Sequence, residues 1–295
     1  MQPDRPTQTV WSATTSARID CGPGIRETQK RESAWEKPGN LHMGSAIHWA
    51  AWQYRRYLLR HDMRSDELAA PRYLEGGLRE HPAHPSLEQR IRRVWDRWVR
   101  SYMLPPADSV EGFEVPIAVH WSGRLMEFDV PNLDHATGNK PLAARQGVLA
   151  RAQLDGVYRD EYDVLVVEDL KSGDFVPSAS ALRRMRQPQF YPGLAVNVFG
   201  LAPDETVAFV WSSMPYGQQV RVEFSAMEAV DNTLAWLDVF RSKDRLPPDH
   251  EYWTRPRRNP GCDLCPLKRG GCSEWSMDLD SPRLVADVAF LAEQL

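Results

Sequence analysis

The chain has 295 residues, of which 42% are hydrophobic and 26% charged, and a formal net charge of -4. This composition predicts a globular protein with a sizeable core, built as one large domain or two small ones. It excludes a broadly basic coat for nucleic acid, so any DNA contact must come from local basic patches.

No apolar run is long enough for a membrane span, and the opening MQPDRPTQTVWS lacks the apolar stretch of a secretory leader. The expected location is therefore the cytoplasm, where structural disulfides are rare. Residues 1–12 read as disordered or extended. Cys21 opens a CGPG turn, and Pro38-Gly39 breaks the polar stretch that follows. A helix is predicted over residues 42–61, because Met43, Ile47, Ala51 and Tyr54 recur at helical spacing. His48 lies beside that apolar face. Alone it reads as a core histidine satisfied by a hydrogen bond.

Residues 62–86 are polar and proline-rich. They read as a surface connection with room for a short helix, with His81 and His84 in a solvated loop. A second helix is predicted over 86–103 with Ser86 as its N-cap. Leu87, Ile91, Val94, Trp95 and Trp98 form its apolar side. Arg90, Arg93, Arg97 and Arg100 form a basic stripe, readable either as a solvated face or as a track for a phosphate backbone. Pro105-Pro106 ends that helix. Strands are expected over 110–121 and 124–130 around a Ser122-Gly123 turn, then a polar loop over 131–147.

The segment 148–191 holds the densest chemistry. VLARAQLDGVY carries Asp155, and YDVLVVEDLKSG carries Asp169 and Lys171. Val, Leu and Tyr dominate both runs, which predicts two strands joined by a tight turn at Arg159-Asp160-Glu161. The unbroken run Val164-Leu165-Val166-Val167 suits a strand buried on both faces. Residues i and i+2 of a strand share a face, so Asp169 and Lys171 project together. An acidic group there is costly unless compensated, and a divalent cation would compensate it.

A helix is predicted over 180–199, with Arg183, Arg184 and Arg186 as a local basic cluster. Pro188 is tolerable if the helix restarts there, leaving Pro192 as a kink. Strands over 206–212 and 219–224 precede a Ser225-x-x-Glu228 capping box and a helix to about residue 242. Arg255, Arg257 and Arg258 precede the cysteine cluster, and residues 281–295 read as a terminal helix. Cys262, Cys265 and Cys272 form C-x2-C-x6-C. With Cys21 they make four thiols, able to hold zinc or an iron–sulfur cluster, and spacing does not decide between these.

In order, these motifs resemble the PD-(D/E)XK nuclease superfamily. The pattern is Asp155, an apolar run ending in Asp169-Leu170-Lys171, then Ser172-Gly173. Gly44-x-x-x-His48 upstream and Gln187-x-x-x-Tyr191 downstream are similar to the RecB-like branch, and the resemblance covers roughly residues 10–275. It implies an α/β fold with a central mixed β-sheet flanked by helices and a helical N-terminal part. It implies one domain over 1–295, with a helical part at about 42–103 and a nuclease core at about 110–242. An iron–sulfur module would join Cys21 to residues 255–275 as a staple.

With one cysteine near the start and three near the end, the chain resembles the AddB-type and Cas-four-type exonucleases. That resemblance implies a 4Fe–4S cluster on Cys21, Cys262, Cys265 and Cys272. It makes His48, Asp155, Asp169 and the Leu170 carbonyl ligands of Mg²⁺ or Mn²⁺. Lys171 would orient the attacking water, and Gln187 and Tyr191 would steady Lys171 or contact DNA. Glu114 matches the family only loosely. The implied activity is a metal-dependent DNA exonuclease preferring single-stranded ends, in phage recombination, repair or CRISPR adaptation, with proteins of those processes as partners. The DNA would run along Arg90, Arg93, Arg97, Arg183, Arg184 and Arg186. The alternative reading is an iron–sulfur DNA-binding accessory subunit with little cleavage. A third is a zinc-stabilised interaction module.

Overall fold

The computed structural model describes Trp11 and residues 39–126, 147–247 and 249–254. Three helices come first: α1 (Gly39–Arg60), α2 (Ala70–Glu80) and α3 (Pro85–Ser101). Strands β1 (Val110–His120), β2 (Leu125–Met126), β3 (Val148–Arg159) and β4 (Leu165–Lys171) follow. Helices α4 (Ala179–Arg184) and α5 (Arg186–Phe199) cross to β5 (Thr206–Ser213) and β6 (Gln218–Ser225), and α6 (Ala226–Asp244) and α7 (Glu251–Thr254) close the described chain. The expected cysteine ligands, Arg255 to Arg258, the loop over 131–146 and the terminal helix over 281–295 lie outside the described residues.

The six strands make one mixed sheet in the order β2-β1-β3-β4-β5-β6. Only β4 and β5 run parallel, in register from Leu165↔Val207 to Lys171↔Ser213; the other pairs are antiparallel. A parallel pair needs a crossover, which α4 and α5 supply. Strand β4 is buried from Leu165 to Leu170, as its unbroken apolar run predicts. Its Leu165 and Val167 join the core under α5 and α6, whereas Val166 packs with Ala208 and Val210. Leu170 is buried in a third cluster with the helical layer of α1, α2 and α3. The sheet is therefore flanked by helices, and β4 spans both cores.

Local signals explain most element ends. Asp160 Oδ1 accepts from Tyr162 N–H at 2.9 Å and Val164 N–H at 3.0 Å, which fixes the β3–β4 turn. Ser225 Oγ accepts from Glu228 N–H at 3.1 Å and caps α6. The Glu228 carboxylate does not complete a box; it pairs with Arg183 at 2.6 Å. Ser86 is not the cap of α3. The helix starts at Pro85, and the His84 ring caps it by accepting from Ser86 N–H at 3.3 Å. Proline at the first helical position needs no donor, so the start moves upstream.

The helix expected over 180–199 is two helices. Met185 is extended at ψ 157° between α4 and α5, and the restart at Arg186 puts Pro188 in the first turn. There its missing N–H costs nothing, and Pro192 is the interior proline. Gly193 lets α5 approach α6, since a Cβ there would stand 2.2 Å from Ala229 O. Trp11 is extended and fully buried. It bridges Ala150 in parallel and stacks on Phe240 at 4.9 Å. Among the described residues no helix is long and apolar enough to cross a membrane.

Candidate metal centre

Pairing between β3 and β4 reaches Gly156↔Glu168 and goes no further. Beyond it, the Asp155 side chain replaces a strand partner: its Oδ2 accepts from Leu170 N–H at 2.7 Å. The ladder thus opens around a carboxylate, and Asp155 Oδ1 meets His48 Nδ1 of α1 at 3.3 Å. The pairs Phe113↔Gly156 and Val115↔Leu154 bracket Glu114 and Asp155, setting Glu114 across from Asp155 on β1. Ligand atoms of His48, Glu114 and Asp155 all lie within 4.8 Å of one another.

Glu114 is the residue that motif matching under-weighted. It sits mid-strand with φ at 54°, a left-handed conformation that a non-glycine residue adopts at a cost of about 1–3 kcal/mol. Such strain persists where the surroundings over-determine it. Gln153 Nε2 donates to Glu114 Oε2 at 2.6 Å from the neighbouring strand and holds the carboxylate. The sequence signals are that loose family match and an acidic residue between Phe113 and Val115.

The electrostatics fit a cation. Burial, then repulsion from Asp155, pushes Glu114 up to about 8. Burial works against a charged His48, but Asp155 and Glu114 together outweigh it and raise the imidazole to about 9. Burial also opposes ionisation of Asp155, yet His48, Lys171 and the Leu170 N–H hold its carboxyl below the usual range. Burial raises Asp169 to about 6, with Lys171 pulling the other way. Protons thus stand in for positive charge between buried carboxylates. A divalent cation would displace them and satisfy the same donors. Two carboxylates and an imidazole suit Mg²⁺ or Mn²⁺, and the imidazole favours Mn²⁺.

Lys171 Nζ lies 2.7 Å from Asp169 Oδ2 on the face the alternation predicts. A carboxylate oxygen has more than one acceptor site, so Asp169 Oδ2 keeps lone-pair capacity beside this ion pair. Gln187 of α5 donates to Asp169 Oδ1 at 3.4 Å, and the buried Tyr191 follows one turn on, its hydroxyl pushed upward chiefly by burial. The Lys171 ammonium lies 5.0 Å from the centre of the Trp211 ring. Five of the seven predicted groups, His48, Asp155, Asp169, Lys171 and Gln187, converge on the open end of β4. Tyr191 stands behind Gln187. Leu170, whose carbonyl is the expected ligand, also places its N–H on Asp155.

A buried ion pair braces the site from behind. Arg55 of α1 is 1% exposed; its guanidinium pairs with Glu168 Oε2 at 2.5 Å and donates to Asp155 O at 3.1 Å. Tyr102 and Phe113 pack on it at 4.8 and 5.0 Å, and Ser212 Oγ donates to Glu168 Oε1. Gly156 leaves room for this pair: a Cβ would stand 3.1 Å from Glu168 Oε2 and 3.3 Å from the guanidinium. Arg55 therefore fixes the helix that carries His48 against the strand that carries Asp155. Gly44 has no such role. A Cβ there would meet Ser172 Oγ at 3.7 Å, an ordinary contact rather than a close backbone approach.

The arginines divide. Arg90 pairs with Asp174 at 2.5 Å, just past Lys171, and Arg97 donates to Pro215 O at 3.1 Å. These two stripe residues hold the loops at the ends of β4 and β5, while Arg93 and Arg100 are exposed. Arg183 is drawn to Glu228, and Arg186 lies 5.4 Å from the centre of the Trp236 ring. Arg184 is exposed on α4. A scan against models of protein families and a search of curated proteins each return no match to this chain.

Proposed function

We propose that the protein is a metal-dependent deoxyribonuclease of the PD-(D/E)XK superfamily, RecB-like branch, acting on single-stranded DNA ends. The observation that carries this is the Lys171–Asp169 pair, 2.7 Å apart, beside the His48, Glu114 and Asp155 donors. An ion pair at a strand end needs no such donor set, and a structural metal site needs no lysine.

In this reading His48, Glu114, Asp155 and Asp169 hold Mg²⁺ or Mn²⁺. The bound ion supplies charge neutralisation at the phosphodiester and lowers the pKa of water. Lys171 points its ammonium at the phosphate oxygens, where negative charge grows as water attacks phosphorus and the bridging P–O bond breaks. Asp169 keeps Lys171 in place, and Gln187 keeps Asp169 in place, so the amine arrives oriented. Tyr191, buried one turn on, packs behind Gln187. Leu170 N–H and the Arg55 brace set Asp155 without mobile parts. The iron–sulfur staple rests on the four cysteines of the sequence, and phage, repair and CRISPR settings all suit the same chemistry.

The test is digestion under anaerobic conditions with Mn²⁺, comparing a closed circular single strand with the same strand linearised. Loss of the linear strand alone supports an exonuclease. Equal loss of both shows an endonuclease, and survival of both refutes the assignment.

A further inference from the structure

Most large apolar side chains at the open end of β4 are buried, but Phe175 is 55% exposed. It lies four residues past Lys171 in the loop between β4 and α4. The loop is tethered on both sides of Gly173: by Lys171 within the sheet, and by Asp174, which pairs with Arg90 of α3. Phe175 itself meets Trp211 edge-on, with ring centres 6.0 Å apart and planes at 86°. Trp211 is the ring beside the Lys171 ammonium, 5.0 Å from its centre. A buried ring thus links the amine to an exposed ring. Tyr162, 78% exposed, lies in the β3–β4 turn at the far end of β4. Tyr216, 50% exposed, lies in the β5–β6 loop, and it is Phe175 that meets the Trp211 ring.

We infer that Phe175 is a stacking residue for an unpaired nucleobase, the base next to the phosphate that Lys171 meets. This rests on the nuclease reading above and adds what that reading leaves open: the feature that selects single strands. A duplex hides its base faces in its own stack, so an exposed phenyl ring gains nothing from paired bases. An unpaired base offers a free π-face, and stacking on an aromatic side chain is tolerant of sequence. The edge-on contact with the buried Trp211, with the exposed Arg90–Asp174 pair beside it, holds the ring in place before the strand arrives. Trp211 sets the ring's angle and ties its position to that of Lys171. Phenylalanine brings no polar atom, which suits a platform that reads no base edges.

The test measures binding of a labelled oligothymidine and of a duplex of equal length, with EDTA present so that no hydrolysis occurs. Wild type, Phe175→Ala and Phe175→Trp are compared, and wild type is also incubated with the single strand and Mn²⁺. Phe175→Ala is expected to weaken single-strand binding by about fivefold or more, while Phe175→Trp retains it. Duplex affinity, melting temperature and Mn²⁺ affinity stay unchanged. Unchanged single-strand affinity in Phe175→Ala, equal loss in Phe175→Trp, or equal loss on the duplex overturns the inference. If wild type still degrades the strand in that case, the nuclease reading stands and only the stacking role falls. If wild type neither binds nor degrades it, the nuclease reading fails and the stacking role with it.

Discussion

Replacing Glu114 with glutamine should stabilise the metal-free protein and weaken its hold on metal. Glu114 is 5% exposed, and its carboxyl is pushed to about 8 from an ordinary value of 4.5. Near pH 7 the unfolded chain carries this group ionised, while the folded chain must keep it protonated. That gap of roughly 2.5 pH units, at about 1.4 kcal/mol each, costs the fold about 3 kcal/mol. Glutamine carries no charge in either state. Its amide oxygen still accepts from Gln153 Nε2, which now donates to Glu114 Oε2 at 2.6 Å.

The sign follows from the raised acid. The gain is absent below 4.5, where both states are protonated, grows as pH rises, and is complete above about 8. In a scanning melt with EDTA near pH 7, about 3 kcal/mol corresponds to a rise in Tm of roughly 6 °C. Mn²⁺ should raise the wild-type Tm by mass action and raise that of the variant far less. A metal-free variant melting at or below wild type, or an equal Mn²⁺ shift in both proteins, would refute the placement of Glu114 in a buried carboxylate cluster.

Lys171→Ala should abolish cleavage of linear single strands while leaving Mn²⁺ affinity and Tm near wild type, because Lys171 is no metal ligand; wild-type rates in the variant would return the pair to a structural role. Arg55→Ala should cost about 3–5 kcal/mol in denaturant titration, since it strands Glu168 as a buried charge. Adding Glu168→Gln should recover part of that loss, and a double variant as unstable as the single one would show that the brace acts otherwise. Anaerobically purified protein should be brown with about four irons per chain; stoichiometric zinc without visible absorption would replace the cluster by a zinc site.

Much of the candidate site is legible in the sequence because strand alternation is strict. The spacing of Asp169 and Lys171 alone puts both on one face, and the apolar run before them buries β4. Gln187 is legible as a motif, although two prolines obscure its helix; the restart at Arg186 satisfies the backbone without an uninterrupted helix. What sequence could not deliver depends on long-range geometry. Glu114 becomes a ligand candidate through a left-handed backbone and a register with β3, neither of which leaves a local pattern. Arg55 reads as one more arginine on an amphipathic helix until the fold places Glu168 and three aromatic rings, Trp98, Tyr102 and Phe113, around it. Trp11 sits in a stretch without periodicity, and only tertiary packing on Phe240 makes it core.

The central claim is that helix α1 and strands β1 and β3 bring His48, Glu114 and Asp155 together to hold a divalent cation. Calorimetric titration of Mn²⁺ into the wild-type chain near pH 7, repeated in buffers of different ionisation heat, tests it most directly. With His48 raised to about 9 and Glu114 to about 8, binding must expel protons. The account predicts one tight site per chain, heats that change with the buffer, affinity that rises toward pH 8, and loss of the site in Asp155→Asn. Absence of binding, or a site that survives Asp155→Asn with no proton release, would contradict it.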